Sequence, residues 1–146
     1  LAYLLDLFPT FCDLAGVRPP EGLDGTSLRP VIAGTTDRVR DTLFLSYKNV
    51  QRSLRDDRWK VIRYPVINRT QLFDLASDPF EMRDLATDAA QSDRIARMMA
   101  AMRAWQARLG DPDPLEVAEP KPGAWTPPGP EEPKPAPSKK RGRRGA

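Results

Sequence analysis

Four short runs of strand-forming residues constrain the fold of this chain most. They are rich in Leu, Val, Ile, Tyr, Phe and Trp, and they occupy residues 42–48, 50–56, 58–64 and 70–76. Asp56 and Asp57 lie between the second and third runs, where acidic side chains favour a tight turn. Short runs joined by short connections predict an antiparallel meander of about four strands.

A long helical repeat follows the predicted strands. Its apolar residues recur at intervals of three and four, at Ile95, Met98, Met99, Met102, Trp105 and Leu109. Asp88 or Ser92 can cap its start, and Gly110 and Pro112 can end it. A four-stranded sheet needs a cover over its apolar face, so we predict an α+β fold with this helix packed on the sheet and its methionines in the core.

Two short helices are predicted before the strands. The first follows Asp6, which we interpret as its N-cap, and ends at Gly16. An apolar stripe runs along it, formed by Leu7, Phe8, Phe11 and Leu14. The second helix runs from residue 28 to residue 33, with Ser27 as its cap. A helix with such a stripe is expected to bury one face.

Charge and composition separate the C-terminal end from the rest. The last nine residues hold five cations, Lys139, Lys140, Arg141, Arg143 and Arg144, whereas the whole chain has a net charge of +3. The remainder is therefore nearly neutral, so no nucleic-acid partner is expected. Ten prolines lie between residues 111 and 137. We predict that residues 111–146 form a disordered Pro-rich tail with a basic end. The sequence contains no apolar run of about 20 residues, so no membrane span is predicted.

Several sequence motifs resemble those of type I sulfatases. DLFPT at residues 6–10 and DLAG at residues 13–16 resemble the family's D-L-x-P-T and D-x-A-G segments. LDGTSL at residues 23–28 resembles the L-D-G-x-S-L that follows them. QLFDLASDPFE at residues 71–81 resembles the segment E-L-Y-D-L-x-x-D-P-x-E. The similarity is strongest to bacterial sulfatases that resemble heparan N-sulfatase, which release sulfate from sulfated sugars or aryl esters.

The resemblance implies catalytic machinery that this sequence does not contain. It implies a parent protein with an alkaline-phosphatase-like α/β domain, a bound Ca²⁺ and a formylglycine made from the Cys or Ser of a C/S-x-P-x-R motif. Cys12 is followed by Asp-Leu-Ala-Gly, Ser27 by Leu-Arg-Pro-Val, and the chain has no histidine. We therefore assign no catalytic residue, metal ligand or cofactor to this chain. Because the chain begins at Leu1, within the family pattern, we interpret it as a C-terminal fragment.

The resemblance also predicts how the chain is divided. Residues 1–40 would end the catalytic domain, residues 41–110 would form a C-terminal subdomain, and residues 111–146 would form the tail. Separated from the catalytic domain, the first helix would expose its stripe and reduce solubility. Sulfatases of this type are commonly exported, which suggests a periplasmic or secreted parent.

A candidate substrate site lies between the first two predicted strands. Lys48, Gln51 and Arg52 carry cationic and amide groups suited to a sulfated small molecule or glycan. In sulfatases the corresponding region can face the mouth of the substrate cleft, so these three residues are predicted to bind substrate. The alternative is a solvated hairpin loop. The acidic pairs Asp56 with Asp57 and Asp74 with Asp78 are interpreted as turn formers, because Ca²⁺ needs six or more converging oxygens.

Two other functions fit parts of the sequence. One is a non-catalytic interaction module whose basic tail binds a polyanion. The other is a phosphate or phosphonate monoester hydrolase of the same superfamily, which would share the fold and the metal chemistry. The sequence predicts no oligomeric state.

Overall fold

The computed structural model describes residues 1–124 and has the predicted α+β fold. Its antiparallel sheet has strand order β1-β2-β3-β4. The strands are β1 (Leu43–Tyr47), β2 (Gln51–Arg55), β3 (Trp59–Tyr64) and β4 (Arg69–Asp74). Each lies within two residues of the run that predicted it. The Asp56 carboxylate accepts hydrogen bonds from the N–H groups of Arg58 and Trp59, which forms the predicted turn between β2 and β3.

One row of side chains crosses all four strands and forms the sheet's part of the core. Register pairing places Phe44, Leu54, Val61 and Leu72 side by side on one face. The helix α3 (Ser92–Leu109) packs on this face through the buried Met98, Met99 and Met102. The long helix is therefore the cover that the sheet requires, as predicted.

Different residues define the start and the end of α3. Asp88 caps a 3₁₀ turn, Ala89–Gln91, which leads into the helix, and its carboxylate accepts from the N–H of Ala90. At the other end, Gly110 adopts the left-handed conformation with φ 65°. Glycine reaches this conformation without the steric cost of a side chain. The helix consequently stops where the sequence predicts.

Residues directly after α3 belong to the folded body. Leu115 is buried in the core, and its carbonyl oxygen accepts a hydrogen bond from Arg63 Nε at 2.6 Å. Asp111 and Asp113 bind Arg52 of β2. The structure thus differs from the prediction of a disordered tail that begins at residue 111. The rest of that predicted tail, residues 125–146, lies outside the described residues.

The N-terminal part contains α1 (Leu7–Leu14) and α2 (Arg29–Ile32). Gly16 follows α1 with φ 68°, as expected for a helix stop. The stripe of Leu7, Phe8, Phe11 and Leu14 is 41–62% exposed. This part of the chain therefore presents an apolar surface to solvent. Within residues 1–124, no helix is long and apolar enough to cross a membrane.

Asp6 occupies the N-cap position of α1, as predicted, but its side chain makes no capping hydrogen bond to the helix. Its fully buried carboxylate accepts hydrogen bonds from the backbone N–H groups of Tyr3 and Thr26, and both of its oxygens bind the guanidinium of Arg40. The Tyr3 hydroxyl donates to the carbonyl oxygen of Phe44 and accepts from its N–H. We call Tyr3, Asp6, Thr26 and Arg40 the Asp6 cluster; it joins the N-terminal part to β1.

The motif segments at residues 6–16 and 23–28 bind each other. The Thr10 hydroxyl accepts from the N–H of Leu28, and the Ser27 hydroxyl donates to Asp13 at 2.8 Å. A Cβ on Gly25 would overlap the carbonyl oxygen of Leu5, so only glycine allows this approach. In the described structure, these motifs hold the N-terminal backbone together.

Candidate functional site

The three predicted substrate residues lie at one end of the sheet, around the turn that joins β1 to β2. Lys48 begins the turn, is exposed and has φ 47°, a conformation that side-chain-bearing residues rarely adopt. Gln51 begins β2 and is half-buried. Arg52 is the next residue and is only 2% exposed. The structure therefore places Lys48 on the surface and Arg52 in the interior.

Every N–H group of the Arg52 guanidinium has an acceptor within the chain. Nε and Nη2 donate to the two oxygens of Asp111, at 2.6 and 2.8 Å, and Nη2 also donates to Asp113 at 2.6 Å. Nη1 donates to the carbonyl oxygens of Lys48 and Gln51. A guanidinium has five N–H donors, so none is left for a ligand. In this structure Arg52 supports the turn and does not face solvent.

The carboxylates that bind Arg52 are themselves held in place. Gln106 of α3 donates from Nε2 to Asp111 at 3.1 Å and to the carbonyl oxygen of Asp113 at 2.7 Å. The hydrogen bond from Arg52 lowers the pKa of Asp111 to about 2, with smaller contributions from Gln106 and the N–H of Asp113. The same hydrogen bond raises the pKa of Arg52. The ion pair is thus fully charged at neutral pH.

Sequence reasoning missed Asp111 and Asp113. They lie 59 and 61 residues from Arg52 along the chain, inside a segment whose prolines predict disorder. The available signal is the pair of acids in Asp-Pro-Asp-Pro directly after the helix stop. These two acids follow the end of α3, and Arg52 lies on β2. They can be paired only when it is known that α3 covers β2.

The exposed part of the turn has an aromatic ring beside a cation. The Tyr47 side chain is 59% exposed, and Lys48 Nζ lies 5.7 Å from the centre of its ring. Asn49 and Val50 complete the turn on the surface, and the N–H of Val50 donates to the carbonyl oxygen of Tyr47 at 3.1 Å. An aromatic face, an ammonium and amide groups can contact a polar anionic ligand, but they include no nucleophile or metal ligand set.

Asp56, Asp74 and Asp78 accept hydrogen bonds from nearby backbone N–H groups and so form turns, as predicted, whereas Asp57 binds Arg38 on the surface. Asp74 binds Arg58 through both oxygens at 2.9 and 2.7 Å, and this contact lowers its pKa to about 2. Asp78 accepts from the N–H of Arg83. In residues 1–124, no group of three or more His, Cys, Asp or Glu side chains is placed to hold a metal ion. The described residues therefore do not fit the Ca²⁺ that the sulfatase motifs imply.

Comparison with known families agrees with the resemblance of the sequence motifs to those of sulfatases. Residues 1–108 match the family described as N-sulphoglucosamine sulphohydrolase, C-terminal. The chain belongs to this sulfatase family. The match runs from the Asp6 cluster through the sheet and into α3, and so includes the candidate turn. The basic end of the chain, on which the polyanion-binding alternative depends, lies outside both the match and the described residues.

Individual relatives support the same assignment. The chain is 33% identical over 115 residues to Delta 4,5-hexuronate-2-O-sulfatase of Bacteroides thetaiotaomicron, an alignment that covers 73% of this chain and 24% of the relative. One solved structure, described as being in complex with its substrate D-glucosamine-2-N,6-O-disulfate, matches with a TM-score of 0.63 and 25% identity. That match covers 75% of this chain and 25% of the other chain.

The sulfatase fold is shared with a second class of hydrolase. The phosphonate monoester hydrolase of Agrobacterium radiobacter matches with a TM-score of 0.51 and 28% identity, over 68% of this chain and 24% of that chain. Both classes fit the alkaline-phosphatase-like superfamily to which the sequence motifs point. The chain spans about a quarter of the length of each of these three proteins.

Proposed function

We propose that this chain is the C-terminal region of a sulfatase whose full-length protein hydrolyses sulfate esters or sulfamates of sulfated sugars or aryl sulfates. The observation that carries the proposal is the family match over residues 1–108. A further support is the relative whose structure holds D-glucosamine-2-N,6-O-disulfate as substrate. The chain completes the fold and contributes to the wall of the substrate cleft.

Sulfate hydrolysis depends on residues of the parent protein that lie outside this chain. Formylglycine and Ca²⁺ belong to the rest of the parent, because this sequence has no histidine and no C/S-x-P-x-R motif. When bound, the metal and the formylglycine hydrate would supply sulfate binding and the attack on sulfur. The residues of this chain would bind and orient the remainder of the substrate.

We also propose a division of the chain in line with the sequence. Residues 1–40 end the catalytic domain, and residues 41–110 form the C-terminal subdomain. The contacts of Asp111, Asp113 and Leu115 with the sheet extend that subdomain beyond residue 110. This extension places the carboxylates that bind Arg52 within the same unit as the candidate turn.

Substrate binding is assigned to Lys48 and Gln51, with Arg52 in support. Lys48 is exposed and can pair with a sulfate or carboxylate of the sugar, and the Gln51 amide can bond its hydroxyl groups. Replacing Lys48 by Ala in the full-length protein should lower kcat/KM for a sulfated sugar about tenfold, equivalent to about 1.4 kcal/mol. Arg97→Ala on the exposed part of α3 is the control. An unchanged kcat/KM for Lys48→Ala would reject its role.

The function itself is tested by assaying the full-length protein for sulfate release. Suitable probes are p-nitrophenyl sulfate and D-glucosamine-2-N,6-O-disulfate. Release from either probe is expected, whereas the isolated 146-residue chain should release none. Sulfate release by the isolated chain would disprove the non-catalytic role, and no release by the full-length protein would disprove the sulfatase assignment.

A second candidate is a phosphonate monoester hydrolase, which the match to the Agrobacterium radiobacter enzyme favours. The same assay decides between the two when phenyl p-nitrophenylphosphonate is included as a third probe. A higher kcat/KM for the phosphonate than for both sulfates would establish this alternative in place of the sulfatase.

A further inference from the structure

The β1–β2 turn is held by hydrogen bonds from a buried arginine. Lys48 has a positive φ, which costs about 1–2 kcal/mol in a residue with a side chain. Such a conformation persists only where surrounding contacts impose it. Arg52 supplies these contacts, because its Nη1 donates to carbonyl oxygens on both sides of the turn, those of Lys48 and Gln51.

Arg52 also connects the turn to the rigid part of the molecule. The other edge of its guanidinium binds Asp111 and Asp113, and Gln106 of α3 holds both of these residues. Met102, one helical turn before Gln106, is fully buried in the core. One buried side chain therefore links the turn to the helix that covers the sheet.

The charges of this group leave Lys48 as the cation available to a ligand. Arg52 carries one positive charge and is bound by two carboxylates, so the three side chains together have a net charge of −1. These side chains therefore do not attract a sulfated ligand. The Lys48 ammonium is exposed, and the face of the Tyr47 ring lies beside it. A tyrosine ring offers a rigid amphipathic surface for the C–H face of a sugar, while the ammonium suits its sulfate.

We propose that Arg52 is a positioning residue, which holds the β1–β2 turn in one conformation so that Tyr47 and Lys48 form a preformed contact for a sulfated sugar. Tyr47 is thereby added as a substrate-contact residue. The contact with sugar rests on the proposed function, whereas the positioning by Arg52 rests on the geometry of this chain. Preorganised contacts gain affinity because less conformational freedom is lost on binding.

The opposite end of the sheet provides a matched control. Arg58 also binds an aspartate, Asp74, through two parallel hydrogen bonds. Its side chain is 60% exposed, and its partner ends β4 away from the β1–β2 turn. Arg→Lys keeps the charge but loses the two-pronged geometry. The same substitution at positions 52 and 58 therefore removes the same type of contact at two ends of one sheet.

The first test measures the turn directly, without catalysis. In the full-length protein, Arg52→Lys should raise amide hydrogen exchange in the peptide covering residues 47–51 about tenfold, as expected for the loss of about 1.4 kcal/mol of local stability. Arg58→Lys should leave that peptide unchanged. Asp113→Asn is a milder second variant, since the Asp113 side chain is 41% exposed and Asp111 would remain bound. Unchanged exchange in both Arg52→Lys and Asp113→Asn overturns the positioning role.

The second test separates positioning from general loss of structure. Arg52→Lys should raise KM for D-glucosamine-2-N,6-O-disulfate about tenfold and change kcat by less than about twofold. The KM and kcat for p-nitrophenyl sulfate, which lacks the sugar, should not change. Tyr47→Ala should have the same effect, and the double variant should be no worse than either single variant, because both act through one contact. Equal losses for both substrates, or effects that multiply in the double variant, overturn the sugar contact.

Failure of the proposed function gives a different result. If the unmodified full-length protein releases no sulfate from either probe, both the sulfatase assignment and the sugar contact are disproved. The exchange experiment still decides the positioning role, because it measures the turn itself.

Discussion

The N-terminal region, residues 1–40, and the sheet region, residues 41–115, are stabilised by different interactions. Among the described residues, every buried Leu, Ile, Val, Phe, Met or Trp lies between Phe44 and Leu115. In the N-terminal region the buried side chains include the polar Asp6 and Thr10, while the apolar stripe on α1 faces outward. One region has an apolar core, and the other depends on directional polar contacts.

This difference predicts different responses to mutation. Apolar burial is non-directional and is shared among many contacts, so a single truncation weakens the whole sheet region at once. A polar cluster has few contacts, and removal of one partner leaves the others buried without a counterpart. The substitutions below test this comparison, from the largest expected effect to the smallest.

Asp6→Ala should have the largest effect, and it should be local. The substitution leaves Arg40, whose side chain is 12% exposed, without its carboxylate, at a cost of about 3–5 kcal/mol. Hydrogen exchange should rise in peptides from residues 1–40 and remain low in the strands. The control is Asp37→Ala, which changes an exposed aspartate of the same region. A uniform rise across strands and α3 would show that the two regions unfold as one unit.

Met102→Ala should weaken the sheet region by a slightly smaller amount. Met102 is fully buried against the row that crosses the sheet, and truncation of a core methionine costs about 2–5 kcal/mol. Urea unfolding followed by tryptophan fluorescence measures the change, because Trp59 is buried in the same core. Met82→Ala is the matched control, because Met82 is exposed and should change the free energy of unfolding by less than about 0.5 kcal/mol. Equal losses would argue against the assigned core.

Acid should destabilise the N-terminal region through Asp6. Burial alone raises the pKa of Asp6, but hydrogen bonds from Arg40 and from the N–H groups of Thr26 and Tyr3 outweigh it and lower the pKa to about 2. A carboxyl that is more acidic in the folded state stabilises it above the unfolded pKa, near 4, and this contribution is lost as the pH falls from about 4 to about 2. The loss should reach about 2–3 kcal/mol.

The pH dependence is checked by hydrogen exchange in residues 1–40 after correction for the intrinsic rate. Asp6→Asn should remove most of it in that region. The part due to Asp111, whose pKa is also lowered to about 2, should persist around the β1–β2 turn. A pH dependence that survives Asp6→Asn in residues 1–40 would assign it to other groups.

Phe11→Gln should have the smallest effect on stability. The Phe11 side chain lies on the exposed stripe of α1, so the free energy of unfolding should change by less than about 0.5 kcal/mol. The soluble fraction of the chain expressed alone should increase, because the apolar patch becomes smaller. Ala104→Gln on the exposed face of α3 is the control and should leave solubility unchanged. No gain from Phe11→Gln would show that the stripe does not drive aggregation.

Much of the fold could be predicted because its signals are local. The strands and α3 follow from residue type, period and stop signals within a few positions, and the structure confirms them. The candidate turn was also predicted at its correct place between two strands. The role of Arg52 there could not be predicted, because its carboxylate partners lie about 60 residues away in a segment with the composition of a tail.

The same reason explains why the partners of the Asp6 side chain could not be predicted. Its position before a helix is typical of an N-cap, and a sequence shows no competing partner nearby. The structure brings Thr26 and Arg40 to its carboxylate from 20 and 34 residues away. A buried carboxylate binds the strongest donors that surround it, and packing decides which donors those are.

The sequence by itself determined the α+β class, the order of the strands, the covering helix and the sulfatase family, since each depends on patterns along the chain. Only the tertiary structure decided that Arg52 faces inward, that Asp111 and Asp113 bind it, and that Asp6 joins segments far apart. Charged side chains have the same local pattern on a surface and in an interior ion pair. Their role depends on which opposite charge the fold brings within hydrogen-bonding distance.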